Sequence, residues 1–224
     1  MRAVALLLLT SIIVLCVACS THVRRPLTGG PVSTQETYLL HVDKLLNAQE
    51  RAIVIDSFKE WERDTLGVVR FMIAEDGWNS DTDRMSFTGD ECTHDVFVIS
   101  MTSNDKPVQE LEKRKGKELR DPVTLLGFTR SICEERFVVL VMDRLYDKAL
   151  LRNVAVHEAG HLVGLDHIPV PNESVMFPSM DKATPRPTEL DLKQFCMLYR
   201  CDWRQMVMAG GVSVGQASNS PNIP

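Results

Sequence analysis

The sequence has no block of lysine or arginine and a formal net charge of −5, so it lacks the basic footprint that nucleic-acid binding requires. No internal repeat is visible, and the chain is not read as a repeat array. No apolar run is long enough for an ordinary membrane-spanning helix. Beyond Cys16 and Cys19, no two cysteines have the two-residue spacing of a zinc knuckle. What remains is ordinary globular composition, 44% hydrophobic and 25% charged over 224 residues. That suits one core-forming domain with tails.

The longest apolar run, Ala3 to Ala18, follows Arg2 and is broken only by Thr10 and Ser11. Its length is that of the hydrophobic region of an export signal. The run ends in Val17-Ala18-Cys19-Ser20, which resembles a bacterial lipobox, although Cys16 stands where Leu, Val or Ile is usual. Three outcomes stay open: lipidation of Cys19, cleavage after Ser20 with Ala18 at minus three, or an uncleaved anchor. The first makes an outer-membrane or cell-surface lipoprotein with a lipid partner, the second a secreted or periplasmic protein. Export places Cys92, Cys133, Cys196 and Cys201 in an oxidising compartment, where two disulfides are expected. Of the three connectivities, Cys92–Cys133 with Cys196–Cys201 keeps each pair within one region of the chain. The second pair requires a helix to end near Tyr199.

Periodicity divides the chain into an export signal over 1–19, a Gly/Pro/Ser linker over 20–36, a domain over 37–203 and a disordered tail over 204–224. Ala48, Ala52, Ile55, Phe58 and Trp61 recur at helical spacing and predict an amphipathic helix over 47–63. Runs at 68–74, 96–101 and 137–142 read as strands, with a further strand at 124–129. The charged stretch 104–121 reads as a surface loop or short helix. Helices follow at 153–165 and 189–199. The layout is α+β around one mixed sheet.

The chemistry concentrates in His157-Glu158-Ala159-Gly160-His161-Leu162-Val163-Gly164-Leu165-Asp166-His167. On a helix, His157 and His161 project from one face and can share a metal ion. Glu158 stands about 100° around, beside the metal rather than on it. Gly164 permits the left-handed turn that stops the helix and returns His167 to the same ion. Three histidines leave one tetrahedral position open, the mark of a catalytic zinc site. By chance, His-Glu-x-x-His alone arises about once in a hundred chains of this composition. Adding Gly164 and His167 at fixed spacing makes coincidence negligible.

With these residues the chain resembles the metzincin zinc peptidases, whose signature is His-Glu-x-x-His-x-x-Gly-x-x-His followed by a methionine turn. Ser174-Val175-Met176-Phe177-Pro178 is similar to that turn and places Met176 beneath the metal. Within the metzincins the match is to the matrixins, from about Tyr38 through Trp61, Pro171, Leu190-Asp191 and Tyr199. The resemblance implies a mixed twisted sheet with an N-terminal helix, a zinc-binding active-site helix, a Met-turn and a C-terminal helix. It also implies one Zn²⁺ held by His157, His161 and His167, and a zinc-activated water with Glu158 as general base. A protein or peptide substrate would lie antiparallel to the edge strand at Leu126, Gly127 and Phe128. Asn153, four before the first histidine, and Pro178 would help shape the substrate site.

The departures are specific. Pro178 stands where astacins and serralysins have a tyrosine; the cysteine-switch propeptide and the second, structural zinc motif of animal matrixins are missing, and His94 has no paired histidines nearby. Asp81, Asp83 and Asp90 read first as a solvated acidic loop and second as Ca²⁺ ligands. The expected activity is hydrolysis of peptide bonds within proteins. Its rivals are a zinc amidase acting on cell-wall peptides and a zinc-containing peptide-binding or adhesion lipoprotein without turnover. Glu158 argues against the last, because glutamate there serves chemistry and not ligation.

Overall fold

The structure, a computed structural model, describes residues 35–75, 78–80, 95–120, 122–132 and 135–210. The export signal with Cys19, nearly all of the linker, the Asp81/Asp83/Asp90 loop, His94, the pair Cys92–Cys133 and the last residues of the tail lie outside them.

Among the described residues, five strands form one sheet: β1 (Glu36–Val42), β2 (Val69–Ile73), β3 (Asp95–Met101), β4 (Gly127–Ile132) and β5 (Glu135–Val141). Their order is β2-β1-β3-β5-β4. The first four run parallel, and β4 pairs antiparallel with β5 at the edge. Among the described residues, five α-helices accompany them: α1 (Ala48–Asp64), α2 (Lys106–Leu119), α3 (Lys148–Leu162), α4 (Glu189–Tyr199) and α5 (Trp203–Gly210). The mixed sheet with N-terminal, central and C-terminal helices is the architecture expected from sequence.

Strand alternation splits the core in two. Val96, Val98, Val138 and Leu140 face α1 and α3 in the larger cluster, which also takes in α4 and α5. Phe97, Ile99, Phe137, Val139 and Val141 face the other way, in a smaller cluster with Val108 and Leu111 of α2. Among the described residues, no helix is long and apolar enough to cross a membrane.

Four differences from the sequence reading have physical causes. β1 begins at Glu36, inside the expected linker, because it is the strand on which β2 and β3 both pair. The charged stretch forms the full 14-residue helix α2, which buries only Val108 and Leu111 and leaves most of its charges exposed, Glu112 pairing instead with Arg144. The helix α5 occupies 203–210, where a tail was expected; Met206 and Val207 are buried, and the Cys196–Cys201 disulfide ties the turn before it back to α4. That disulfide has the expected pairing, made feasible by Arg200 turning left-handed at the end of α4. Finally, the buried stripe of α1 is Val54, Ser57, Phe58, Glu60, Trp61 and Asp64, so Ala48 and Ala52 stay exposed. Its start is set by a capping box: Asn47 accepts from Gln49 and Glu50 backbone N–H groups, and Glu50 accepts from that of Asn47.

Candidate metal centre

The site is built on α3, buried at every residue from Val154 to Leu162. Such a helix must fit its neighbours on all sides. Trp61 Nε1 of α1 donates to the Val156 carbonyl at 2.8 Å, fixing the two helices against each other. Gly160 lets the Met-turn approach: a Cβ there would sit 2.3 Å from Met176 Sδ and 2.9 Å from the Trp61 ring. Met176 is fully buried. It forms the expected apolar floor directly against the histidine helix.

The helix ends in a Schellman turn. Leu165 N donates to Gly160 O and Gly164 N to His161 O, both at 3.0 Å. Gly164 supplies the required φ of 95°. Arg136 of β5 and Tyr199 of α4 donate to the carbonyls of Leu162 and Val163 at the helix end. Beyond the turn, Ile168 N donates to Met176 O at 3.0 Å, which brings the His167 segment alongside the Met-turn.

His157, His161 and His167 converge, with one ring nitrogen from each lying within 4.8 Å of the others. His157 Nδ1 lies 2.7 Å from Val175 O, and His161 Nδ1 lies 2.7 Å from Leu165 O. A carbonyl can only accept, so both Nδ1 atoms carry the proton and both Nε2 atoms present lone pairs. Those two Nε2 atoms are 3.1 Å apart. Two lone pairs at that distance repel unless a cation lies between them. Zinc–nitrogen bonds of about 2.0–2.1 Å at tetrahedral angles place two ligands about 3.3 Å apart. Burial is the main cause that lowers His157 to about 3 and His161 well below its ordinary value. Both imidazoles therefore stay neutral, the form a metal needs. The donor set fits zinc.

The outer groups are held in turn. Asp191, buried in α4, accepts from Ser174 Oγ, from Val175 N at 3.1 Å and from Thr188 N at 2.8 Å. Met176 N donates to Ser174 Oγ. One carboxylate thus fixes the Met-turn, whose Val175 carbonyl fixes the His157 tautomer. Burial raises the Asp191 carboxyl above its ordinary value, against the hydrogen bonds it accepts.

Glu158 is fully buried beside the three histidines and is not one of the clustered ligands. Thr129 Oγ1 of β4 donates to its Oε2 at 2.7 Å. Oε1 has no hydrogen-bond partner among the described residues. Burial pushes the carboxyl up to about 8, with the Thr129 hydrogen bond acting the other way. A neighbouring cation would bring it down again.

The expected substrate residues divide. Asn153 on α3 and Pro178 after the Met-turn are half-buried. The edge strand runs from Gly127 to Ile132 rather than over 124–129, and among the described residues no strand pairs with its outer side. Leu126 and Phe128 bury their side chains in the larger and smaller core clusters, so the edge-strand contact expected of them falls to their backbone. Gly127 packs on α3, where a Cβ would stand 3.2 Å from Glu158 Cγ. Thr129 is the residue that sequence reading missed. Its only signal is strand alternation, which puts it on the face that Gly127 shares with Glu158.

Residues 129–200 match the family model for matrixin, Peptidase M10, which spans Thr129, the histidine helix, the Met-turn and α4. No curated protein matches the chain. Similar solved structures include archaemetzincin from Methanopyrus kandleri, 19% identical, covering 75% of this chain and 98% of that one at a TM-score of 0.43. Another is metalloproteinase-II from Bacteroides fragilis, 12% identical, covering 80% of this chain and 59% of that one at a TM-score of 0.42.

Proposed function

We propose that this chain, a metzincin-like zinc metalloprotease, is a matrixin-type endopeptidase that hydrolyses peptide bonds within proteins. The observation that carries the reading is the buried carboxylate of Glu158, with one oxygen tethered and one not, beside three convergent imidazoles. His157, His161 and His167 would hold the ion. Zinc bound there supplies Lewis acidity, drawing electron density from a water and from the scissile carbonyl, and stabilises negative charge on that oxygen. Glu158 takes a proton from the attacking water and returns it to the leaving amine. An extended peptide lies along the outer edge of β4, where main-chain hydrogen bonds give affinity largely independent of sequence. Asn153 and Pro178 border the side-chain subsites. Calcium has no support among the described residues.

The test is a cleavage profile of the purified protein on a denatured proteome, read by mass spectrometry, with two variants. Glu158→Gln keeps zinc stoichiometry and loses about 10²–10⁴-fold in rate. His161→Ala loses both metal and activity. Wild type that binds zinc yet cuts nothing across a broad library returns the chain to the binding or amidase readings.

We also propose export with a lipid on Cys19, on the strength of the apolar run and the small residues before that cysteine. Wild-type protein then partitions with membranes, and Cys19→Ala is released or left unprocessed. A soluble wild type with an unmodified N-terminus at Thr21 counts against it.

A further inference from the structure

The Glu158 carboxylate has two chemically equal oxygens, and a general base needs one of them aimed at the reacting water. Three features of the fold make them unequal. Oε2 accepts a 2.7 Å hydrogen bond from Thr129 Oγ1, whereas Oε1 is buried with no partner among the described residues. The Thr129 hydroxyl also lies 3.2 Å from the Glu158 carbonyl oxygen, so it sits over both ends of the same residue. Gly127, two residues earlier on the same face of β4, leaves space for the side chain: a Cβ there would meet Glu158 Cγ at 3.2 Å and Val154 Cγ1 at 3.0 Å.

Thr129 is itself buried and pinned. It pairs with Val138 in the antiparallel ladder, and its Cβ is branched, which restricts the hydroxyl to few rotamers. A serine would keep the donor but loosen it. A valine would keep the shape and remove the donor.

We infer that Thr129 is a positioning residue that tethers Glu158 Oε2 and so reserves Oε1 as the oxygen that takes the proton. The inference rests on the peptidase reading for its catalytic consequence, but the tether itself can be seen without turnover. No bond to Thr129 forms or breaks in the cycle. Its hydroxyl donates to the same oxygen throughout, while the proton from water goes to Oε1 and then to the leaving amine. The same edge strand therefore has two jobs, its outer backbone edge facing the peptide and its inner face setting the base.

The experiment compares Thr129→Val, Thr129→Ser and wild type, each loaded with zinc and measured on one quenched peptide. Thr129→Val should lose about ten- to a hundredfold in kcat, the scale of one hydrogen bond to a charged group, with KM and zinc stoichiometry unchanged. Thr129→Ser should recover most of the loss. A merely structural threonine would lower the melting temperature while leaving kcat per folded molecule near wild type, and that result overturns the inference. The readout independent of activity is a crystal structure of each zinc-loaded variant. Glu158 should rotate or split between two conformers in Thr129→Val and keep one in wild type and Thr129→Ser; an unmoved Glu158 overturns the inference whatever the turnover. Wild type that cleaves nothing overturns the peptidase reading instead, and the crystallographic comparison still decides the tether. If the valine variant fails to fold, Thr129→Ala makes the same comparison.

Discussion

The two faces of the sheet bury different kinds of side chain. Under α1 and α3 lie His157, Glu158, His161, Glu60, Asp64, Ser174 and Asp191, set among Trp61, Val156 and Met176. Under α2 the buried cluster is aliphatic and aromatic: Phe97 stacks on Phe137 at 5.7 Å, with Ile99, Val139 and Val141 around them. Near the end of β1, His41 stacks on Phe97, and Asp43 accepts from the backbone of Leu45 and Ser100. A buried polar group costs free energy unless it is paired. The first face therefore has to be ordered by hydrogen bonds, while the second is ordered mainly by shape, with His41 and Asp43 at the end of β1 as its buried polar exceptions. That difference makes the two faces separable by mutation.

The largest effect should come from the apolar face. Phe137→Ala removes most of a ring that is 5% exposed and should cost about 3–5 kcal/mol in denaturant unfolding. Its zinc stoichiometry and the kcat of the folded fraction should stay at wild-type values, because β5 reaches the site only through α3 and β4. A fall in kcat per folded molecule of more than a few-fold would show that the faces are coupled, and the comparison would break.

Gly160→Ala sharpens the contrast from the other side. The added methyl would press on Met176 Sδ, which can move, and on the Trp61 ring, which is held by its hydrogen bond to Val156. Overpacking of this kind should cost about 2–3 kcal/mol. Here the loss in stability should come with weaker zinc binding, since displacing Met176 disturbs the turn whose Val175 carbonyl orients His157. Chelator competition measured beside thermal melting checks this; a destabilised variant with unchanged zinc affinity would mean that the Met-turn supports the fold and not the ligands.

What was legible in the sequence follows the same division. His157, His161, Gly164, His167 and Met176 were readable because helix spacing and a single left-handed turn are local codes, written within 20 residues. The Cys196–Cys201 pair was readable for the same reason. Thr129 was not, since it lies 29 residues from Glu158 and meets it only through the register of β4 on β5 and the packing of β4 on α3. Strand position at Leu126 and Phe128 does not say which face has a core behind it, so the burial of both side chains was not readable. The stripe of α1 was misplaced because apolar periodicity does not register carboxylates buried by distant arginines. Glu60 is paired with Arg152 and Arg186, 92 and 126 residues further along the chain. α5 was missed because the Gly, Ser, Asn and Pro that follow it dominate 204–224, although Trp203, Met206, Val207 and Met208 give this short segment apolar anchors.

Those carboxylates give the smallest effect, and one with a sign that can be worked out. Asp64, 3% exposed at the end of α1, has its carboxyl raised from 3.8 to about 6. Burial is the main cause; Glu60 adds to it, while Arg186, Arg63 and Arg152 oppose it. Arg186 comes nearest, at 3.7 Å, from the loop that leads out of the Met-turn, and Asp64 Oδ2 has no hydrogen-bond partner among the described residues. A carboxyl raised on folding favours the folded state while it is protonated, and that advantage fades as pH climbs from about 4 through about 6. Asp64→Asn stays neutral, so it should match wild type near pH 4 and exceed it by about 1–2 kcal/mol near pH 7. Urea unfolding at the two pH values measures the difference. If Asp64→Asn is instead less stable near pH 7, the Arg186 pair outweighs desolvation, and this buried charge strengthens the site's face rather than weakening it.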